Sequence, residues 1–288
     1  MTWFRGTDWL GACCLYMTAL LSIGACSTPP EPPSVEAVSS ARRPVAKPVW
    51  PKSGAGLKVL DTVLPKPLAK TKKVYIDPGH GSVGNTGNTG CLCQSEEDFT
   101  LRVGHRLAVD LLATGHFEIR LSRQGTRRVD YQTRVREASE WADVYLSLHS
   151  DARGPTTSWS PEAGKHCPRN TGHHGFSVLW SGEGEPSLRA SRKKLADRLA
   201  DRMIEAGFSP YGGSDYDGLY VGDAENPGSF LDVHEPDQRI MVLRRPTIPS
   251  VIIETHQALD IREVSRWREE ATLQAFSAAV TAGLLDAL

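Results

Sequence analysis

The chain has 288 residues, 40% of them hydrophobic and 23% charged, with 33 basic against 34 acidic side chains and a formal net charge of -1. That apolar share excludes disorder throughout, and the lack of a basic excess argues against nucleic acid as a partner. The prolines are unevenly placed, since nine of the nineteen fall between Pro29 and Pro67.

In chain order, residues 1–25 read as an export signal. A short polar start, with Arg5 offset by Asp8, precedes a mostly apolar run from Trp9 to Ala25. A spanning helix needs roughly 20 apolar residues, whereas this run ends in small residues, as a cleavable signal does. Leu21-Ser22-Ile23-Gly24-Ala25-Cys26 resembles a bacterial lipobox, which makes Cys26 the expected lipidated anchor. Ser27, rather than an aspartate, follows it, which by the same resemblance favours the outer membrane, facing the periplasm. Residues 26–70 hold the clustered prolines and few apolar residues, and read as a semi-rigid tether. Some thirty such residues reach about 30 Å as coil and about 90 Å when extended.

Residues 71–288 alternate short β-branched runs with amphipathic stretches, which predicts one α/β domain: a mainly parallel, twisted sheet flanked by helices on both faces. Strands are expected at 74–76, 117–121, 144–149, 176–180, 240–243 and 251–254. Helices are expected at 96–114, 131–141 and 187–206, the last stopped by Gly207. Asp260-Ile261-Arg262-Glu263 reads as a capping box that opens a final helical region with Leu273, Phe276, Val280 and Leu284 as its stripe.

The ionisable residues at strand ends carry the chemistry. His80 lies just beyond the first strand, His149 ends an apolar one, and Glu254 ends Val251-Ile252-Ile253. In open α/β sheets ligands gather outside the carboxyl ends of the strands, so all three point to one edge. Glu96 and Glu97 compete as a fourth member at the start of the first long helix. Glu96 precedes the apolar row Phe99, Val103, Leu107 and Leu111 by three residues, and Glu97 points about 100° away. A carboxylate on a buried face needs a compensating partner, and a metal supplies one. Two histidines and one carboxylate suit a catalytic zinc, which leaves Glu254 as the general base.

These residues sit in Val74-Tyr75-Ile76-Asp77-Pro78-Gly79-His80-Gly81, in the helix opened by Glu96 with Leu101 five residues on, in Ser147-Leu148-His149-Ser150-Asp151-Ala152 and in Pro249-Ser250-Val251-Ile252-Ile253-Glu254. In that order they resemble the motifs of zinc-dependent N-acetylmuramoyl-L-alanine amidases, from about Lys73 to the C-terminus. The resemblance implies one Zn2+ held by His80, Glu96 and His149, with Glu254 as acid/base. It implies hydrolysis of the amide joining the lactyl group of N-acetylmuramic acid to L-alanine in peptidoglycan, during cell separation or wall turnover, with room for a protein activator. The alternatives are a zinc peptidase acting within the stem peptide, or a non-catalytic wall-binding lipoprotein, which would be expected to have lost a ligand or the base. The chain departs from the family where an aspartate commonly follows the His-Gly turn, here Gly81-Ser82-Val83-Gly84-Asn85, and after Glu254, where Thr255-His256-Gln257 stands.

Two stretches look long for this fold: 153–175, with Cys167, His166, His173 and His174, and 209–238, with His234 and Glu235. Either is a candidate lid, and the second a candidate source of further groups near the metal. In an oxidising envelope Cys167 is expected to pair with Cys91 or Cys93, which are too close to pair comfortably with each other. A second metal site from Cys91, Cys93, Cys167 and His166 is the sharper alternative.

Overall fold

The computed structural model describes residues 50–52, 56–62 and 68–288. The export signal, Cys26 and the tether up to residue 49 lie outside the described residues. In chain order the elements are β1 (Lys72–Pro78), α1 (Glu96–Ala113), β2 (Phe117–Leu121), α2 (Tyr131–Trp141) and β3 (Val144–Asp151). The short strands β4 (Thr157–Trp159) and β5 (Cys167–Arg169) follow, then β6 (Ser177–Ser181), α3 (Pro186–Ala206), β7 (Tyr220–Gly222) and β8 (Ser229–Asp232). The chain closes with α4 (Met241–Arg244), β9 (Ser250–Gln257), α5 (Ile261–Arg266) and α6 (Glu270–Ala287). Among the described residues no helix is long and apolar enough to cross a membrane.

Seven strands form one sheet in the order β2-β1-β3-β9-β6-β8-β7. The pairs β1–β2, β1–β3, β3–β9 and β6–β8 are parallel, and β6–β9 and β7–β8 antiparallel. The expected mainly parallel sheet is therefore what the chain forms. The alternation of β1 sets its two faces: Val74 and Ile76 join a core with Leu107, Leu199, Met203 and Phe276 from α1, α3 and α6. Tyr75 joins Tyr145 and Ile252 in a second core under Ala138 of α2 and Val242 and Leu243 of α4. Central strands buried on both faces read as continuous apolar runs, as β3 and β9 do.

Three expectations need correction. Residues 240–243 do not form a strand, since α4 begins at Met241. A four-residue apolar run carries no periodicity that separates strand from helix, and the Ile240 amide is held by the Asp232 carboxylate rather than by a neighbouring strand. The capping box is only half made: Asp260 accepts from the Arg262 amide, but its own amide bonds to the Gln257 carbonyl. Glu263 turns inward instead, and α5 stops before α6 begins at Glu270. Finally, the stretch expected to be tether is not free of the domain throughout. Trp50 is buried against Phe208 and Trp267, Leu57 and Leu60 pack on the larger core, and the Lys58 amide donates to the Ala206 carbonyl.

Candidate metal centre and catalytic cavity

β1 and β3 run in parallel, so Pro78 and Leu148 pair and the next residues of each strand emerge at the same edge. His149 pairs with Glu254 across β3 and β9, and both point to the face covered by α2 and α4. His80 follows two residues after β1 with φ +60, a left-handed turn that swings its ring back over the strand ends. Two close approaches make this possible. A Cβ on Gly79 would stand 2.4 Å from the His149 ring, and one on Gly87 would stand 2.6 Å from Glu96 Oε2 and His80 Cδ2. Any larger side chain at either place would push the cluster apart.

His80 Nε2 lies 2.9 Å from Glu96 Oε2, while His149 Nδ1 lies 3.1 Å from Glu96 Oε1 and 3.1 Å from His80 Nε2. Ligand atoms of these three residues fall within 4.8 Å of one another. The far nitrogens are occupied: His80 Nδ1 faces Asn85 Oδ1 at 2.8 Å and His149 Nε2 faces Ser147 Oγ at 3.1 Å. Ser147 Oγ in turn donates to Asp77 Oδ2 at 2.8 Å, so His149, Ser147 and Asp77 form a relay. With both far nitrogens protonated, the near ones turn lone pairs toward each other and toward a carboxylate, an arrangement that calls for a cation.

Glu96 is the buried acid of the competing pair, because Glu97 turns outward to Arg128. Its oxygens accept from the Ser150 amide and from the amide and side chain of Asn88 at 2.8–3.0 Å. Burial opposes its ionisation, yet the bonds and charges of His149 and His80 outweigh burial and hold the carboxyl well below the usual range. For His80 burial works against the charged form, and the Glu96 bond more than restores it, so its value is raised.

These residues line a cavity of about 520 Å3 with Asn85, Asn88, Tyr131, Asp151 and Glu254, and with an apolar wall from Ile240, Met241 and Val242. Glu254 Oε2 is buried there without a hydrogen-bond partner among the described residues. Burial pushes the Glu254 carboxyl well above its ordinary value, with the Asp151 and Glu96 charges adding to the rise and Arg153 opposing it. Such a carboxylate is a proton acceptor kept free for something that enters the cavity.

A family model described as N-acetylmuramoyl-L-alanine amidase matches residues 74–286. The chain belongs to that family. AmiC, an N-acetylmuramoyl-L-alanine amidase of Escherichia coli O6:H1 strain CFT073, is 24% identical over 220 residues, covering 73% of this chain and 51% of that protein. This amidase-family chain thus spans about half the length of that relative. AmiA of Salmonella typhimurium, also an N-acetylmuramoyl-L-alanine amidase, is 26% identical over 239 residues, covering 75% of this chain and 78% of that protein. The solved amidase Ami1 of Mycobacterium smegmatis superimposes with a TM-score of 0.56 at 21% identity over 75% of this chain and 96% of its own. At that identity the superposition speaks to the fold.

Within the amidase fold the remaining residues singled out by sequence separate into near and far. Cys93 and Cys167 are bonded, leaving Cys91 as a buried thiol among the described residues, so the four-residue Cys/His site does not form. The bridge ties the β4–β5 hairpin to the loop before Glu96, beside a bond from Trp159 Nε1 to the Cys91 carbonyl. No residue of 153–175 lines the cavity, so among the described residues that insertion is no lid over it. The segment before β9 contributes its wall through Ile240 to Val242, while His234 bonds to Asp232 and packs on Tyr220.

His256 also turns away. Three steps along β9, from Glu254 to Gln257, span two along β3, from His149 to Asp151, a bulge that reverses the alternation. The ring therefore packs on Phe99 and Trp267, where burial, with Arg153 next, lowers its value to about 3 and keeps it neutral.

Asp77, Asn85, Asn88, Arg134 and Ser147 also belong to the site, although none is among the site residues expected from sequence. Arg134, fully buried, donates to Asp77 Oδ1 and to the carbonyl of His80. A signal for it was present, because it lies on the α2 face that carries Ala138.

Proposed function

We propose that this chain hydrolyses the amide between the lactyl group of N-acetylmuramic acid and L-alanine of the peptidoglycan stem peptide, with one zinc ion held by His80 Nε2, His149 Nδ1 and Glu96. The observation that carries the reading is the convergence of that donor set, within 4.8 Å, on a cavity that also holds the unpartnered Glu254 carboxylate. The donors fit the ion: two imidazole nitrogens 3.1 Å apart and one carboxylate are the nitrogen and oxygen donors that zinc would take, and His80, Glu96 and His149 would hold it between them. Bound there, zinc supplies Lewis acidity, polarising an amide carbonyl and acidifying water.

The protein's own residues do the rest. Glu254 Oε2 takes a proton from the attacking water and returns it to the departing amine of L-alanine, which its raised proton affinity favours. Asn85 and Ser147 hold the two imidazoles in the tautomers that leave Nε2 of His80 and Nδ1 of His149 free. Ile240, Met241 and Val242 keep water off one side of the cavity. Digestion of purified sacculi, with and without a zinc chelator and beside Glu254→Ala, tests the reading by mass spectrometry. New L-alanine amines on released stem peptides, with intact glycan strands, are expected from the wild-type protein alone. Opened cross-links would mean a stem-peptide peptidase, binding without any product a wall-binding lipoprotein, and full activity in Glu254→Ala would remove the mechanism.

The same reading includes lipidation at Cys26 and an outer-membrane position facing the periplasm, supported by the lipobox-like sequence and by Ser27. Labelled palmitate is expected to enter the wild-type chain and not Cys26→Ala, which should fractionate with soluble protein. Label retained in the variant would refute the anchor.

A further inference from the structure

Asn85 stands in the loop between β1 and α1, and its side chain has a fixed orientation. Its Oδ1 receives two donors, His80 Nδ1–H at 2.8 Å and the Gly87 amide at 3.0 Å. The Nδ2 group is thereby turned to the Tyr131 hydroxyl, donating to its oxygen at 3.1 Å. A phenol oxygen that accepts from Asn85 keeps its own hydrogen to give, and Tyr131 lines the cavity.

The ring is also held in place. Tyr131 is the first residue of α2, whose start is capped by Asp130 accepting from the Thr133 amide at 2.8 Å, and the Arg134 guanidinium lies 4.8 Å from the ring centre. A donor mounted on a capped helix is aimed before any ligand arrives. The wall of Ile240, Met241 and Val242 offers no side-chain donor, so a ligand rich in carbonyl oxygens must find one elsewhere in the cavity.

We propose that Tyr131 is a substrate-binding residue whose hydroxyl donates a hydrogen bond to an acceptor oxygen of the muramoyl-peptide beside the scissile amide, with Asn85 as the residue that aims it. This rests on the amidase reading of the cavity. Tyr131→Phe keeps the ring and removes only the donor. One neutral hydrogen bond corresponds to roughly a three- to tenfold effect, expected in KM and in the Kd of an N-acetylmuramoyl dipeptide measured on the Glu254→Ala background. Zinc content, melting temperature and, within about twofold, kcat should stay as they are.

Asn85→Asp is the second arm. A carboxylate still accepts from His80 but also accepts the Tyr131 proton, so it should reproduce the Tyr131→Phe loss, and the two changes together should lose no more than either alone. Unchanged KM and Kd in Tyr131→Phe, or losses that multiply in the double variant, would overturn the proposal while leaving an active amidase standing. A dipeptide that binds with the same dependence on Tyr131 but is never cleaved would keep it and sink the amidase reading. No binding to the parent would overturn both.

Discussion

Ser147 shows how a residue outside the donor set can govern the centre. Its hydroxyl accepts from His149 Nε2 and donates to Asp77, which is wholly buried and also accepts from Ser122, Arg134 and Tyr145. The charge of Arg134 and these hydroxyl bonds overcome the burial of Asp77 and hold its carboxyl below the usual range, so the relay ends on a fixed negative charge. Ser147→Ala removes the acceptor that selects the His149 tautomer while leaving Asp77 three donors. Partners of this kind typically account for 10- to 100-fold in metal affinity, so zinc affinity, read by competition with a chromophoric chelator, should fall by at least about tenfold. Ser122→Ala, which takes a different donor from Asp77, should leave it nearly unchanged. Equal affinities in the two variants would count against the relay.

At the scale of elements, the strands that carry His80, His149 and Glu254 were legible because each is a short apolar run ending in a polar residue, and the parallel order of β1, β3 and β9 brings those ends to one edge. Glu96 was legible by helical phase, and the inward turn of Glu96 against the outward turn of Glu97 follows that phase. What stayed hidden depends on contacts between distant parts of the chain. Asn88 donates to Glu96 and to the Ser150 carbonyl, 62 residues away. Nothing local marks such an asparagine apart from any other loop residue. The bulge in β9 was invisible for the same reason: strict alternation would place His256 beside Glu254, and only pairing with β3 shows the extra residue. The hairpin of β4 and β5 escaped notice because three-residue strands are shorter than any pattern of period two can identify. Its pairing with the loop before Glu96 rests on a covalent bond whose partners are separated by 74 residues. Composition narrowed that bond to two candidate partners for Cys167, and the placement of the hairpin chose Cys93.

For the molecule as a whole, one buried carboxylate joins three distant segments. Glu263 accepts from Trp50 Nε1, within the stretch expected to be tether, from the Gly175 amide where the insertion returns, and from the Gln257 amide at the end of β9. Arg266 closes the same junction, with its guanidinium 5.3 Å from the Trp50 ring centre and a bond to the Lys52 carbonyl. Residues 50–52 therefore dock on the scaffold that carries Glu254. Burial raises the Glu263 carboxyl to about 6, while its bonds from Trp50, Gln257 and Gly175 work to lower it. The folded chain then holds a proton that the unfolded chain, near 4.5, has already released. From this group stability should fall as pH rises from about 4.5 to about 6, by about 2 kcal/mol, and change little above that window. Trp50→Phe keeps most of the ring packing and removes one donor that stabilises the charged form. In that variant the folded value moves higher, so the decline should continue to a higher pH and end at a larger loss. Unfolding free energies from denaturant titration at intervals between pH 4.5 and 7.5 measure the difference between the two proteins, in which other titrating groups largely cancel. Curves that diverge with rising pH are expected, whereas a constant offset would show that Trp50 acts by packing alone and that Glu263 does not sense the docked indole.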